Sequence, residues 1–222
     1  MKKNKVIIIL QARCGSSRFP NKVIYPIKKL PLAIYCAKRL NPYNKYKLIL
    51  ATSKNKTDDY LVTLAKNFNI EIFRGQESNV LKRFNDIAKK LSPEDVIVRA
   101  TADNPLPDRY FLEECLKIFK KNGLQYFMPD QKFYGLPKGL NLEILTVKTL
   151  RKQKYTKHNK EHVTYSLREN YNTRKLNANF IENDFSKLNF SIDYTSDYLF
   201  VKRKMEKFEF NENWKKIINN EN

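Results

Sequence analysis

The chain has 222 residues, 41% hydrophobic and 13% aromatic, which is enough apolar material to bury a core and too much for a disordered chain. Lys and Arg number 43 against 23 Asp and Glu, a formal charge of +20 that concentrates anions of every kind, from nucleotides to anionic lipid. The excess is scattered, with no basic tail and no arginine-rich helix, so it does not by itself mark a nucleic-acid-binding module.

Cys14, Cys36 and Cys115 are widely spaced and lack a C-x-x-C pair, which argues against a disulfide framework or a zinc site. Cys36 and Cys115 fall in apolar helical patterns and read as small core residues. Only five apolar residues follow the basic start Met1-Lys2-Lys3-Asn4-Lys5, too few for a signal h-region or a membrane span. A cytoplasmic protein with no membrane segment is expected.

Val6-Ile7-Ile8-Ile9-Leu10 has four β-branched residues in five and reads as a strand buried on both faces of a parallel sheet. A polar loop follows, Gln11-Ala12-Arg13-Cys14-Gly15-Ser16-Ser17-Arg18-Phe19-Pro20-Asn21-Lys22. Helices are expected over 30–40, 57–68, 77–91 and 109–121, and strands over 48–51, 69–73 and 96–100. That alternation means βαβ units, with ligands at the carboxyl ends of the strands. Beyond Gly123 the rhythm changes. Short strands are expected at 126–128 and 140–145, two helical pieces over 147–170, and an extended run over 174–180. A last strand over 188–193 and helices over 196–208 and 211–219 close the chain. The whole reads as one α/β domain: a nucleotide-binding half to 122, an acceptor and dimerisation half over 123–210, and a final helix.

Four strand ends carry suggestive residues: Arg13, Thr52, Asp103 and Asp193. Backbone N–H groups of a Gly15-Ser16-Ser17 turn, with Arg13, Arg18 and Lys22, suit a polyphosphate; an ordinary surface connection is the plainer reading. Asp103 precedes Asn104-Pro105, where proline keeps Asn104 out of the helical region. Its carboxylate suits Mg²⁺, a hard cation that takes oxygen ligands, although aspartate also caps helices. Asp193 stands before Thr195-Ser196, good caps themselves, which leaves its carboxylate free for a similar task.

The strand and loop I-I-I-L-Q-A-R-C-G-S-S-R-F-P-N-K resemble the opening signature of cytidylyltransferases of the spore-coat-polysaccharide type. These are related to the synthetases of CMP-3-deoxy-manno-octulosonate and CMP-sialic acid. Further matches follow in order: A-T-S-K-N-K-T-D-D (51–59), I-F-R-G-Q-E-S-N-V-L-K-R-F (72–84), V-R-A-T-A-D-N-P-L (98–106), L-P-K-G-L-N-L-E (136–143), E-H-V-T (161–164) and F-S-I-D-Y-T-S-D-Y (190–198). The resemblance spans residues 5 to about 200.

It implies a Rossmann-like, mostly parallel sheet flanked by helices, as in nucleotide-diphospho-sugar transferases. It also implies transfer of a nucleotidyl group from CTP to a sugar acid or phosphorylated acceptor, with release of pyrophosphate, in surface polysaccharide or glycan synthesis. By position, Gln11, Ala12, Arg13, Gly15, Ser16, Lys22, Thr52, Arg83 and Asp103 would bind the nucleotide. Arg13, Lys22 and Asp103 would be catalytic, Asp103 and Asp193 would hold Mg²⁺, and Glu143 and His162 would line the acceptor side. Arg83 otherwise reads as a solvated helical arginine, and His162 as structural. A homodimer paired through 125–170 is expected from the family. Asn21 stands where relatives often have glycine, and Lys54-Asn55 where an acidic residue is common. A glycosyltransferase of the same fold is the alternative; its usual D-x-D is replaced here by Asp103-Asn104-Pro105.

Overall fold

Strand β1 (Val6–Gln11) lies at the middle of the sheet because it presents apolar side chains to both faces. Ile8 and Leu10 enter one core, Ile7 and Ile9 the other, as the period of two requires. On one side β1 pairs in parallel with β4 (Lys47–Ser53), on the other with β6 (Val96–Thr101). Strand β5 (Glu71–Gly75) extends the sheet beyond β4. Beyond β6 come β8 (Glu143–Thr146) and then β7 (Tyr126–Phe127), both antiparallel to their neighbours, so the order is β5-β4-β1-β6-β8-β7. The mostly parallel sheet expected from the alternation is present, and the computed structural model describes residues 4–170, 176 and 178–220.

Helices α1 (Leu32–Leu40), α2 (Asp59–Asn67), α3 (Val80–Ala88) and α4 (Arg109–Lys121) fall where the apolar spacing puts them. Two start late for local reasons. Leu30–Pro31 forms a short strand, β3, against β2 (Pro26–Ile27), and this hairpin takes the first residues expected of α1. The Asn79 side chain accepts the Lys82 N–H at 2.9 Å, fixing the start of α3 at Val80 rather than at 77.

The second half departs further from expectation. Residues 147–170 form three short helices, α5 (Val147–Arg151), α6 (Lys157–His162) and α7 (Tyr165–Asn170), not two. Thr146 and Thr156 cap the first two, each taking the N–H three residues on. Of the extended run expected over 174–180, residues 174, 175 and 177 lie outside the described residues, and 176 and 178–180 form no strand. Residues 188–193 are not a sheet strand: they make one isolated bridge, Lys138 to Asn189, and Ile192 N–H bonds the Asp103 carbonyl at 2.9 Å. The alternation there is real, since Phe190 and Ile192 are buried, but the segment lines loops instead of joining a ladder. Gly139, at φ +91°, permits this: a Cβ would meet the backbone of Phe190 and Ser191 at 2.6 Å.

Helices α8 (Thr195–Glu206) and α9 (Trp214–Asn219) finish the chain. α9 lies in the main core, not outside it, with Trp214, Ile217 and Ile218 buried. The buried Arg39 guanidinium donates to the carbonyls of Phe210 at 2.7 Å and Leu106 at 3.0 Å. Asp108, which starts α4, also accepts the Trp214 N–H at 2.7 Å. Among the described residues no helix is long and apolar enough to cross a membrane.

Candidate active site

Asp58 ties the loop after β1 to the end of β4. Cys14 N–H donates to Asp58 Oδ1 at 2.7 Å, while Oδ2 accepts from Thr52 Oγ1 at 2.8 Å and Ser53 N–H at 3.0 Å. Burial pushes the Asp58 carboxyl up, yet the hydrogen bonds from Cys14, Ser53 and Thr52 outweigh it and leave the pKa below the ordinary value. Burial beside the same carboxylate raises the Cys14 thiol to about 12, so it stays protonated and inert. Thr52 is wholly buried, and its hydroxyl donates to Asp58, which ties the end of β4 to the loop. The loop turns on the Cys14 carbonyl, which accepts from Ser16 and Asn21 N–H. Asn21 sits at φ 60°, the left-handed conformation that asparagine tolerates better than most residues. A Cβ on Gly15 would lie 2.9 Å from Glu77 Oε1, a contact that a small shift of the partly exposed carboxylate relieves. Arg13 pairs with the same Glu77 at 3.3 Å.

From this loop Lys22 reaches across the ends of the strands. Its Nζ is 2.9 Å from Asp103 Oδ2, 2.6 Å from the Ile192 carbonyl and 3.7 Å from Asp193 Oδ1. Arg18 and Lys138 also reach Asp193, at 2.7 and 3.4 Å. Neither aspartate is spent on capping. Asp108 caps α4, and the Asp197 side chain takes the N–H groups of Asp193 and Tyr194 at the start of α8. The structure therefore brings Arg18, Lys22, Asp103 and Asp193 together at one place, from three distant parts of the chain. Two carboxylates and a main-chain carbonyl converging on one cation are the hard oxygen donors that Mg²⁺ takes, so these residues fit that ion.

Arg83 is not a solvated helical arginine. It is fully buried on α3, packed so closely on Gly75 that a Cβ there would meet its Cγ at 2.6 Å. None of its three guanidinium nitrogens has a hydrogen-bond partner among the described residues. Burial, aided by the nearby Arg13 charge, lowers its pKa to about 10. A buried, unpaired guanidinium is costly, and beside Arg13 it marks a place that an anionic or carbonyl-bearing ligand would complete.

Glu143 does not line a cleft. It is buried at the start of β8, opposite Arg99 of β6 in register, with Arg99, Arg168 and the Thr164 hydroxyl all engaging its carboxylate and Tyr126 Oη at 3.3 Å. Burial raises its pKa, but the two arginines and Thr164 more than reverse this and hold it ionised. His162 lies exposed at the end of α6, and Thr164 is the residue of its stretch that reaches Glu143. Arg99 also donates to Gln11 Oε1 at 3.2 Å, which places Gln11 between this cluster and the β1 loop.

Sequence reasoning missed Asp58, Glu77, Arg99 and Arg168. Asp58 stood inside the A-T-S-K-N-K-T-D-D match. Arg99 carried a signal of its own, since a charge in the middle of an apolar strand requires a buried partner.

Residues 7–220 match the family model described as Cytidylyltransferase. The chain belongs to that family. It is 34% identical over 176 residues to an uncharacterized protein of Methanocaldococcus jannaschii, covering 78% of this chain and 70% of that one. It is 31% identical over 174 residues to the spore coat polysaccharide biosynthesis protein SpsF of Bacillus subtilis, covering 74% and 70%. Among solved structures, a cytidylyltransferase from Leptospira borgpetersenii superposes with a TM-score of 0.85 at 27% identity, over 98% of this chain and 93% of that one. A CMP-2-keto-3-deoxy-manno-octonic acid synthetase complexed with CTP shares the fold alone, with a TM-score of 0.64 at 12% identity. Within this family the clustered Lys22, Asp103 and Asp193 and the buried Arg83 are the features on which a donor site can be argued.

Proposed function

We propose that this cytidylyltransferase moves a cytidylyl group from CTP to a sugar acid or a phosphorylated small molecule, releasing pyrophosphate and activating the acceptor for glycan synthesis. The observation that carries the reading is the meeting of Lys22, Asp103 and Asp193 at the sheet edge, beside a glycine-bearing loop with Arg13 and Arg18. An acceptor oxygen attacks the α-phosphorus, and the bond from that phosphorus to the bridging oxygen breaks as pyrophosphate leaves. Lys22, Arg13 and Arg18 offset the charge that accumulates on the phosphates, and the buried Arg83 guanidinium would find in the donor the partner it lacks among the described residues. A Mg²⁺ held by Asp103 and Asp193 would supply further charge neutralisation and a template for the triphosphate.

CTP as donor and a sugar acid as acceptor are supported by relatives bearing such names, including the 3-deoxy-manno-octulosonate cytidylyltransferase of Nitratiruptor, 30% identical over 121 residues. The test presents each of the four nucleoside triphosphates with Mg²⁺ to a panel of sugar acids and sugar phosphates and reads pyrophosphate. CTP-dependent release with at least one acceptor is expected; release from another triphosphate in preference to CTP, or from none, overturns the reading.

A further inference from the structure

Lys22 does more in this structure than await a phosphate. Its side chain is only 9% exposed, and its ammonium has three oxygens around it: Asp103 Oδ2 at 2.9 Å, the Ile192 carbonyl at 2.6 Å and Asp193 Oδ1 at 3.7 Å. These are the oxygens that a divalent cation in this site would take. The position is already filled, by a cation tethered to the chain.

The surroundings reinforce the block. Lys22, Arg18 and Lys138 face Asp103 and Asp193, with the Asp197 carboxylate behind the Asp193 N–H, so the cluster is already neutral, charge for charge. A bare divalent ion would add two positive charges to a balanced cluster and would have to expel a buried ammonium with nowhere better to go. A triphosphate reverses both conditions. It brings more negative charge than the metal brings positive, and its oxygens offer Lys22, Arg18 and Lys138 new partners as they leave the aspartates.

We propose that Lys22 is an internal stand-in for the divalent cation, keeping Asp103 and Asp193 from binding free metal and yielding them only as nucleotide arrives. This rests on the donor-site reading above and adds an order of binding to it. Metal enters with the triphosphate or after it, not before. Lys22 is then both a phosphate ligand in the filled site and a counter-ion in the empty one.

The experiment measures metal binding rather than turnover. Mn²⁺ uptake is followed by electron paramagnetic resonance in the wild type, Lys22→Met and Lys22→Gln, with and without the α,β-methylene analogue of CTP. Without nucleotide, both variants should bind Mn²⁺ at least about tenfold more tightly than the wild type, a difference of about 1.4 kcal/mol. Adding Asp103→Asn to either variant should abolish the gain. In the wild type the analogue should strengthen Mn²⁺ binding by at least about tenfold. The proposal is overturned if both folded variants bind free Mn²⁺ no better than the wild type, or if the wild type binds it equally well with and without the analogue. Failure of the analogue to bind the wild type at all would instead count against the donor-site reading, and the nucleotide-free comparison would still decide the role of Lys22.

Discussion

Strand β6 serves two clusters of opposite charges that are built to different ends. At Arg99 the cluster is closed: Glu143 is buried, and Arg99, Arg168, Thr164 and Tyr126 surround its carboxylate. Beyond the last residue of the strand, at Asp103, the cluster is open, and Arg18 and Lys138 reach it from solvent with more than half of each side chain exposed. The closed cluster cannot exchange partners without leaving a buried charge unpaired, whereas in the open one Arg18 and Lys138 can turn to solvent or to a ligand and only Lys22 needs new oxygens before it moves. The first cluster therefore serves the fold, and the second is the one to which the proposed function assigns the ligand.

Breaking the closed cluster should have the largest effect. Glu143→Ala leaves two arginines uncompensated and should cost about 3–5 kcal/mol in urea unfolding, enough to threaten folding. A loss below about 1 kcal/mol would show that the cluster is not structural. At the open cluster the effect should fall on activity. Asp103→Ala should reduce pyrophosphate release at least a hundredfold, or about 2.7 kcal/mol in the barrier, with the urea midpoint close to that of the wild type. Full activity in that variant would remove Asp103 from the site.

Asp58 lies between these cases, a buried carboxylate that supports the open site. Asp58→Asn should cost about 1–3 kcal/mol through weakened hydrogen bonds to Cys14, Ser53 and Thr52. Its folded pKa is below the ordinary 3.8, so its contribution is complete above that value and is lost as the pH falls through the lower, folded one. Acid titration of stability should show this limb in the wild type and lack it in Asp58→Asn. The smallest effect should come from Arg18→Ala: an exposed partner of Asp193, it should change stability by no more than about 1 kcal/mol and raise the KM for CTP only a few-fold. A loss of stability as large as that of Glu143→Ala would erase the distinction between the clusters.

Much of this could be read from residue order. Apolar runs separated by helical periods specify the parallel sheet, and the loop after β1 stands out by its glycine and cations as the place to look for a site. What escaped was mostly partnership. An alternating run such as 188–193 gives the same signal whether its backbone joins a ladder or lines two loops, because alternation reports burial and not hydrogen bonding. Arg83 and Glu143 are both charged residues in matching motifs, yet among the described residues one is buried without a hydrogen-bond partner and the other is buried among four. That contrast depends on what α3, β6 and α7 bring beside them, which no local pattern encodes.

The chain has one tryptophan, and Trp214 is wholly enclosed, with its indole edge-on to Phe111 at 5.6 Å. Its emission is therefore a native optical probe of whether α9 is docked, and it needs no label. The carbonyls gripped by Arg39 and the N–H held by Asp108 tie this segment to α1 and α4, on the other side of the molecule from the Arg99–Glu143 cluster. Fluorescence and far-ultraviolet dichroism followed together during unfolding would show whether the last helix comes away with the sheet or ahead of it. A red-shifted spectrum at unchanged dichroism would identify α9 as the first part of the fold to open.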